Sequence, residues 1–532
     1  MTGPDGEMAA GKETRKPLVS VMLPTYNRRE YLPASLGSVL RQEYENLEIF
    51  VIRDGGDDVS DIVHEAGDER IRFIDRRENR GKPRSLNEAL ASAGGKYVCY
   101  LDDDDIWYPN HVSTLVNTLE ENPRFGAAYS DLYKTTCRTE PDGSRVVLSK
   151  VLEVSRDFDR FLTLCYSHIL HVSLMHRRDL LEKTGPFNED LNILIDWDII
   201  RKLSFFTDFI HVYTITGEWF APVGDSDRIS VVWRKKIQDY RKNILRIRTA
   251  RPPKPWPKIK DLSIILLSPE PSDATVKTIS SIIKNTYYPY LIYLPMSARQ
   301  KEQFATDVPN IVSVEVPENA SPRQRIGTTI AQSEGDYTAV VPEDFEVGTF
   351  WIEDCLHAFV QGTAEGQVLE LEASREFSWA AVMEKWLLID IMRYYRQNLR
   401  QAVDDAGVKV RRLRPEEIPF QCDQLLSEAK KYQEKGNWLN AAEVYEYMAD
   451  SYGNTLWFNT LAANAYYRGG NYDRSDSLIT EINKTRPTVE TLLLDARIKR
   501  EKKDIDTAAG LLSRAEQILE GNYYANEPGT YL

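Results

Sequence analysis

Long apolar runs, paired cysteines and an excess of positive charge are all missing from this 532-residue chain. No stretch reaches the ~18–20 apolar residues of a membrane-spanning helix. The polar opening, MTGPDGEMAAGKETRK, lacks the apolar heart of a secretion signal. The five cysteines (Cys99, Cys137, Cys165, Cys355 and Cys422) are scattered, with no Cys-x-x-Cys pair. Neither a disulfide framework nor a zinc cluster follows, and the expected setting is the reducing cytoplasm. A formal charge of −14 repels nucleic acid over most of the surface. One segment runs the other way, since Arg234 to Lys260 holds eleven Lys and Arg against one acid, Asp239. It reads as a solvated helix and linker, with peripheral contact to an anionic membrane as the alternative.

What is present is a globular composition, 42% hydrophobic and 28% charged, in a chain too long for one ordinary core. After a disordered stretch at 1–16, residues 17–250 alternate short β-rich runs (Val19–Leu23, Glu48–Ile52, Arg72–Ile74, Tyr97–Leu101) with amphipathic helices (Tyr31–Gln42, Ser85–Ala93). That order predicts an α/β unit with an open, Rossmann-like sheet. A Pro-rich linker at 251–260 follows. In the next unit, 261–415, VSVMLPT at Val19 recurs as LSIILLS at Leu262, 243 residues on, and ALASAGGKYVCYLDDDD recurs as TIAQSEGDYTAVVPEDF at an offset of 240. An ordered series of such matches predicts a duplicated, shorter domain.

The last unit, 416–532, is helical with a 34-residue period. Gly436 recurs as Gly470, Trp438 as Tyr472, Tyr432 as Tyr466, and Ala441 as Ser475 and Ala509. The period and residue types resemble tetratricopeptide repeats, an all-α solenoid. Asp504 and Asp506 stand in the third repeat where a glycine and an aromatic are expected. The catalytic unit, with its own core, is expected to stand apart from these repeats.

Sites in open α/β sheets lie beyond the carboxyl ends of the strands. Here each strand ends in a polar cluster: Pro24, Thr25, Tyr26 and Asn27; then Asp54 with Gly55 and Gly56; then Asn79 to Arg84; then Asp102, Asp103, Asp104 and Asp105. Taken singly, the first two also read as a helix cap and a solvated loop. Four carboxylates directly after an apolar strand repel one another unless a cation compensates, and their oxygens suit Mg²⁺ or Mn²⁺ beside a phosphate.

Together with Gly185–Leu203, which contains Ile195-Asp196-Trp197-Asp198, these motifs resemble the family 2 glycosyltransferases of GT-A fold over about residues 17–230 and, weakly, 261–355. The resemblance implies a metal-dependent transferase using a nucleotide-sugar donor, with uridine the expected base. Thr25, Tyr26 and Asp54 would hold the base, with Pro24 in the same loop and Asn27 and Arg84 close to the nucleotide. Asp102 would lie near the ribose with Asp103 beside it, Asp104 would bind the divalent cation, and Asp196 would be the catalytic base, inverting the anomeric centre.

Two departures stand out. Ile195 occupies a position where the family often has Glu, and Glu218–Asp225 supplies no late histidine. His171 and His176 read as structural or acceptor-facing. In the duplicate, Leu267-Ser268-Pro269-Glu270 and Val341-Pro342-Glu343-Asp344-Phe345 have lost the chemistry, which leaves a scaffold. The acceptor is expected to be a bacterial surface or flagellar protein recruited by the repeats, which could also mediate self-association. The alternatives are transfer to a polysaccharide or lipid-linked glycan, and a non-catalytic nucleotide-sugar-binding scaffold.

Overall fold

The computed structural model describes residues 16–140, 144–152, 155–165, 167–223, 236–268, 270–304, 308, 310–371, 379–413, 421–451, 455–485 and 487–522. The N-terminal stretch before residue 16 and the boundary near 416 fall outside them.

Apolar runs buried on both faces make β1 (Val19–Thr25), β2 (Leu47–Asp54) and β4 (Tyr97–Tyr100) of the first sheet, and the partly exposed β3 (Ile71–Arg76) lies at its edge. It continues through β5 (Ile106–Trp107), β6 (Ala127–Thr139), β7 (Arg145–Val151), β8 (Leu174–Arg177) and β9 (Phe209–Pro222). The order is β3-β2-β1-β4-β8-β6-β9-β5, with β7 paired to β6. The strands β3, β2, β1 and β4 are mutually parallel, so their carboxyl ends open on one edge. The helix expected from Ser85 begins at Lys82, because Pro83 is accommodated in its first turn, where no amide donor is needed.

The second sheet holds β10 (Leu262–Leu267), β11 (Tyr290–Met296), β12 (Ile311–Glu315), β13 (Tyr337–Pro342), β14 (Val368–Leu371), β15 (Ala380–Glu384) and β16 (Val410–Arg411). Its order, β12-β11-β10-β13-β15-β14-β16, follows the first sheet position by position through all seven of its strands. A tight contact repeats as well. The Gly95 amide donates to Ser20 Oγ at 3.0 Å, and the Gly335 amide to Ser263 Oγ at 3.0 Å. A Cβ on either glycine would lie 2.4–2.5 Å from that oxygen, which explains why glycine stands at both positions.

The two sheets are not joined by a free spacer. Trp256 packs edge-on against Phe205, and Arg251 forms a bidentate pair with Asp261 at 3.0 and 2.8 Å. One apolar cluster runs from Ile199 and Leu203 through Ile247 and Ile259 to Tyr288 and Ile352. The 251–260 segment is therefore packed structure, because Pro252 and Ile259 are buried and its charged side chains form ion pairs across the junction. Lys258 pairs with Asp208 and Lys254 with Asp261 and Glu334, so much of the basic run serves this junction.

Helices at 421–434, 455–468 and 489–501 start 34 residues apart, and each is followed by a partner beginning at Trp438, Tyr472 and Ile505. The third partner starts one residue early. Gly436, Gly470 and Lys503 all adopt left-handed φ (77°, 79° and 64°), so Lys503, not Asp504, takes the glycine place. With that shift Ala508 is the buried small residue, and Ala509 is exposed.

These helices also fold back on the first unit, contrary to the expected separation. Leu492 and Ala515 share a buried cluster with Tyr108, Tyr133 and Ile215, and the Leu152 amide donates to Glu490 Oε2 at 3.0 Å. Burial pushes the Glu490 carboxyl up to about 7. The folded protein thus retains a proton that the unfolded chain releases near the ordinary glutamate value, and stability falls as pH rises through that window. Replacing Glu490 with Gln keeps the acceptor oxygen and removes the charge. The variant should melt roughly 2–4 °C above wild type at pH 8 and match it at pH 5; an equal melting temperature at both pH values would exclude this contact as the pH-sensitive one.

Candidate active site

At the carboxyl edge of the first sheet the polar clusters meet. Pro24 and Thr25 close β1 and are buried, whereas the Tyr26 ring is 46% exposed. Asn27 takes a left-handed φ of 51°, which asparagine tolerates, and its Oδ1 accepts the Asp57 amide at 3.1 Å. Gly56, at φ 69°, allows this approach, because a Cβ there would lie 2.0 Å from Asn27 Oδ1. Asp54 is buried and accepts the backbone amides of Arg80 (2.9 Å) and Gly81 (2.8 Å). Three loops distant in sequence become one polar floor.

The acidic run lies across this floor, each carboxylate held by a different element. Asp102 pairs with Lys82, and Asp103 accepts the Tyr26 amide at 3.3 Å. Asp104 faces Arg28 at 3.3 Å, and Asp105 accepts the Phe220 amide at 2.9 Å. Burial, then the neighbouring Asp104, raises Asp103 to about 7, against the pull of Thr25 and Arg28. The carboxylate oxygens of Asp102, Asp104 and Asp105 converge within 4.8 Å of one another. Three hard oxygen donors at that separation fit Mg²⁺ or Mn²⁺. The structure thus groups Asp102, expected near a ribose, with Asp104, and adds Asp105 as a third carboxylate.

Asp196 stands in the first turn of the helix Ile195–Leu203, entered through Leu194 at φ 63°. Burial raises its pKa, opposed by Lys82 and assisted by Asp102. Asp198, two residues on, is 1% exposed and pairs with Lys202 at 2.5 Å, so it belongs to the interior. Burial works to lower the Lys82 pKa, but Asp102, Asp196 and Asp103 outweigh it and the net shift is upward. Lys82 thus feels both the acidic run, through its direct contact with Asp102, and Asp196.

Arg84 pairs with Glu189 at 2.8 Å rather than with any of these carboxylates. His176 bonds the Tyr100 hydroxyl at 2.8 Å and the Arg177 carbonyl at 2.9 Å, a structural placement. His171 stacks on Tyr100 with ring centroids 4.0 Å apart. Sequence reading passed over Arg28, Lys82 and Arg145. The first two lie inside motifs already singled out, next to Asn27 and Gly81. Arg145, in β7, donates to the Asp104 carbonyl at 2.7 Å and stacks on Tyr31 and Phe220 at 3.8 and 4.4 Å. Nothing local in the sequence marks it.

Residues 20–172 match the family model "Glycosyl transferase family 2". The chain carries a family 2 glycosyltransferase domain. Among curated relatives, an uncharacterized glycosyltransferase of Rickettsia typhi is 33% identical over 197 residues, which is 36% of this chain and 60% of that one. One from Haemophilus influenzae is 40% identical over 119 residues, 22% of this chain and 37% of its own. The WfgD protein of Escherichia coli, a UDP-Glc:α-D-GlcNAc-diphosphoundecaprenol β-1,3-glucosyltransferase by name, is 35% identical over 106 residues, 20% of this chain and 42% of that one. Each match spans less than two thirds of the relative. The S. aureus TarS structure with UDP-GlcNAc shows 18% identity over 43% of this chain and 65% of that one, with a TM-score of 0.35.

Asp104→Ala should weaken Mn²⁺ binding, read by calorimetry, by at least about 10-fold while far-UV circular dichroism stays that of wild type. Unchanged Mn²⁺ affinity would remove Asp104 from the cation site.

Proposed function

We propose that the glycosyltransferase domain, of GT-A type, moves a sugar from a nucleotide-sugar donor, a UDP-sugar, to an acceptor hydroxyl with inversion of the anomeric configuration. The convergence of the Asp102, Asp104 and Asp105 carboxylates within 4.8 Å of one another, at the edge where the loops of Asn27 and Asp54 meet, carries the reading. Thr25, Tyr26, Asn27 and Asp54 form the floor for the base and ribose. Asp102, Asp104 and Asp105 would hold Mn²⁺ or Mg²⁺, which when bound supplies positive charge for the diphosphate.

Asp196 accepts the proton of the acceptor hydroxyl as that oxygen attacks the anomeric carbon opposite the leaving nucleotide. Burial moves its pKa upward, the direction that strengthens a carboxylate as a base. Asp198 cannot serve while it is buried against Lys202.

The second sheet unit reads as a degenerate GT-A copy acting as scaffold. Glu343, the counterpart of Asp103 at the 240-residue offset, accepts bonds from Ser268 Oγ (2.8 Å) and Thr275 Oγ1 (3.2 Å). Its acidic remnant is used internally. The helical unit reads as tetratricopeptide-like repeats that recruit a protein acceptor such as a surface or flagellar protein, or a second copy of the chain. A second reading, transfer to a polysaccharide or lipid-linked glycan, draws support from the names of two relatives: WfgD, and a putative teichuronic acid biosynthesis glycosyltransferase of Bacillus subtilis, TuaG.

Asp196→Asn should lower transfer and UDP release about 10²–10⁴-fold with donor affinity unchanged. Asp198→Asn should cost thermal stability while keeping the rate per folded molecule. The reverse pattern would move the base to Asp198, and no UDP release by wild type from any UDP-sugar with Mn²⁺ would favour a non-catalytic binding role.

A further inference from the structure

The junction between the two sheet units accounts for only part of the basic run from Arg234 to Lys260. Arg248 stacks on Tyr287 at 3.5 Å, Arg251 and Lys254 pair with Asp261, and Lys258 pairs with Asp208. Arg241, Lys242 and Arg246 stand apart from all of these. They lie on the helix Ile237–Thr249, which buries Asn243 and Ile247 and turns the opposite face outward. At about 3.6 residues per turn, Gln238, Arg241, Lys242, Leu245 and Arg246 share that outer face, and all five are exposed. Lys242 lies 4.0 Å from Asp239, an exposed pair of little worth, and Arg241 has no ion-pair partner among the described residues. Arg246 donates to a backbone carbonyl, that of Asp190, at 2.8 Å. Leu245, central among the cations, is 42% exposed.

Two features of this face select its partner. It is cationic on a chain of net charge −14, so the partner is anionic. It also holds an apolar side chain between its charges and no aromatic ring. A nucleic acid would use the cations on its phosphates but would find no ring on which to stack a base, and it would leave Leu245 unused. A bilayer surface uses both kinds of group, since headgroup phosphates meet the cations while apolar atoms enter the interface beneath them. We propose that the helix Ile237–Thr249 docks the protein on an anionic bilayer surface, with Arg241, Lys242 and Arg246 among the headgroups and Leu245 inserted between them.

The docked helix is tied to a particular part of the first unit. Besides the Arg246 bond to Asp190, Asn243 Nδ2 donates to Asn192 Oδ1 at 2.7 Å, so the helix is held to the segment that runs into Ile195–Leu203. The bilayer would thus lie on the side of the unit that carries this segment. A lipid-linked acceptor would be met on that same side; this consequence rests on the transfer proposed above, whereas the docking stands without it.

Sedimentation of the full chain with vesicles tests the docking, using phosphatidylcholine alone and phosphatidylcholine mixed with phosphatidylglycerol. Wild type should bind the mixed vesicles and not the neutral ones, and added salt should weaken that binding. The double variant Arg241→Gln with Lys242→Gln should bind about 25-fold more weakly, roughly fivefold for each cation. Leu245→Gln should lose about fivefold, and that loss should persist when salt is raised. These side chains are exposed, so both variants should keep the wild-type melting temperature and, without vesicles, the wild-type rate of UDP release from a UDP-sugar. Wild type that ignores the mixed vesicles, or variants that bind them as tightly as wild type, would overturn the proposal. Tighter binding to poly-uridylate than to vesicles, with Leu245→Gln unaffected, would overturn it in favour of a nucleic-acid surface. A wild type that binds the mixed vesicles yet releases no UDP upholds the docking and removes the transfer reading alone.

Discussion

Four carboxylates in a row at the end of a buried strand set the terms for the rest of this molecule. At a separation near 4 Å and an effective dielectric of about 20, two such charges repel by roughly 4 kcal/mol, so the run persists only where each member has a compensating group. Here the compensation is distributed. Lys82 answers Asp102, the Tyr26 amide Asp103, Arg28 Asp104 and the Phe220 amide Asp105. Those partners come from a helix start, the β1 loop and β9. Satisfying the charges therefore fixes the relative positions of elements that sequence separates by up to 115 residues.

The parallel pairing of β1 with β4, from Val19 opposite Tyr97 to Met22 opposite Tyr100, delivers the acidic run to the same edge as the loop from Pro24 to Asn27. That much was legible in the sequence, since apolar runs ending in polar clusters imply parallel strands whose ends share an edge. The sequence match at an offset of 240–243 residues has a structural counterpart, since the Ser20–Gly95 contact of the first sheet recurs as Ser263–Gly335 in the second. Arg145 was not legible. It reaches Asp104 from a strand whose alternation looks like any half-buried hairpin, and only the fold brings it there. The third helical repeat misled by one residue. A lysine can adopt the left-handed conformation when its neighbours fix it, and sequence spacing alone favoured glycine.

The helix Ile195–Leu203 carries two jobs on two faces. Asp196 lies in its first turn and is only partly buried, whereas Arg201, five residues later, is fully buried. Its guanidinium donates to the carbonyls of Ala250 (2.9 Å), Arg248 (3.0 Å) and Tyr287 (3.3 Å), the last of which belongs to the second sheet unit. Burial pulls the Arg201 pKa down to about 10, so the charge is retained at neutral pH and the three carbonyls remain bound. The second sheet unit is thus attached to the helix that carries Asp196.

The C-terminal helices meet the same domain from another side, through β7. At one end of that strand Arg145 donates to the Asp104 backbone and stacks between Tyr31 and Phe220; just past the other end, the Leu152 amide is held by Glu490. Between them Lys150 pairs with Glu218 at 2.6 Å, and Glu218 also accepts Tyr108 Oη at 2.9 Å and Thr135 Oγ1 at 2.5 Å. A hairpin strand that only paired with β6 would be free to fray, and an arginine at its tip would wander by more than a site tolerates, about 0.5 Å. Pinned at the far end by a helix and along its length by a buried carboxylate, the strand presents Arg145 from a rigid support. Each of the two added units therefore contacts an element that carries a charged side chain of the site, and each does so through a buried polar group whose removal would leave its partners unsatisfied.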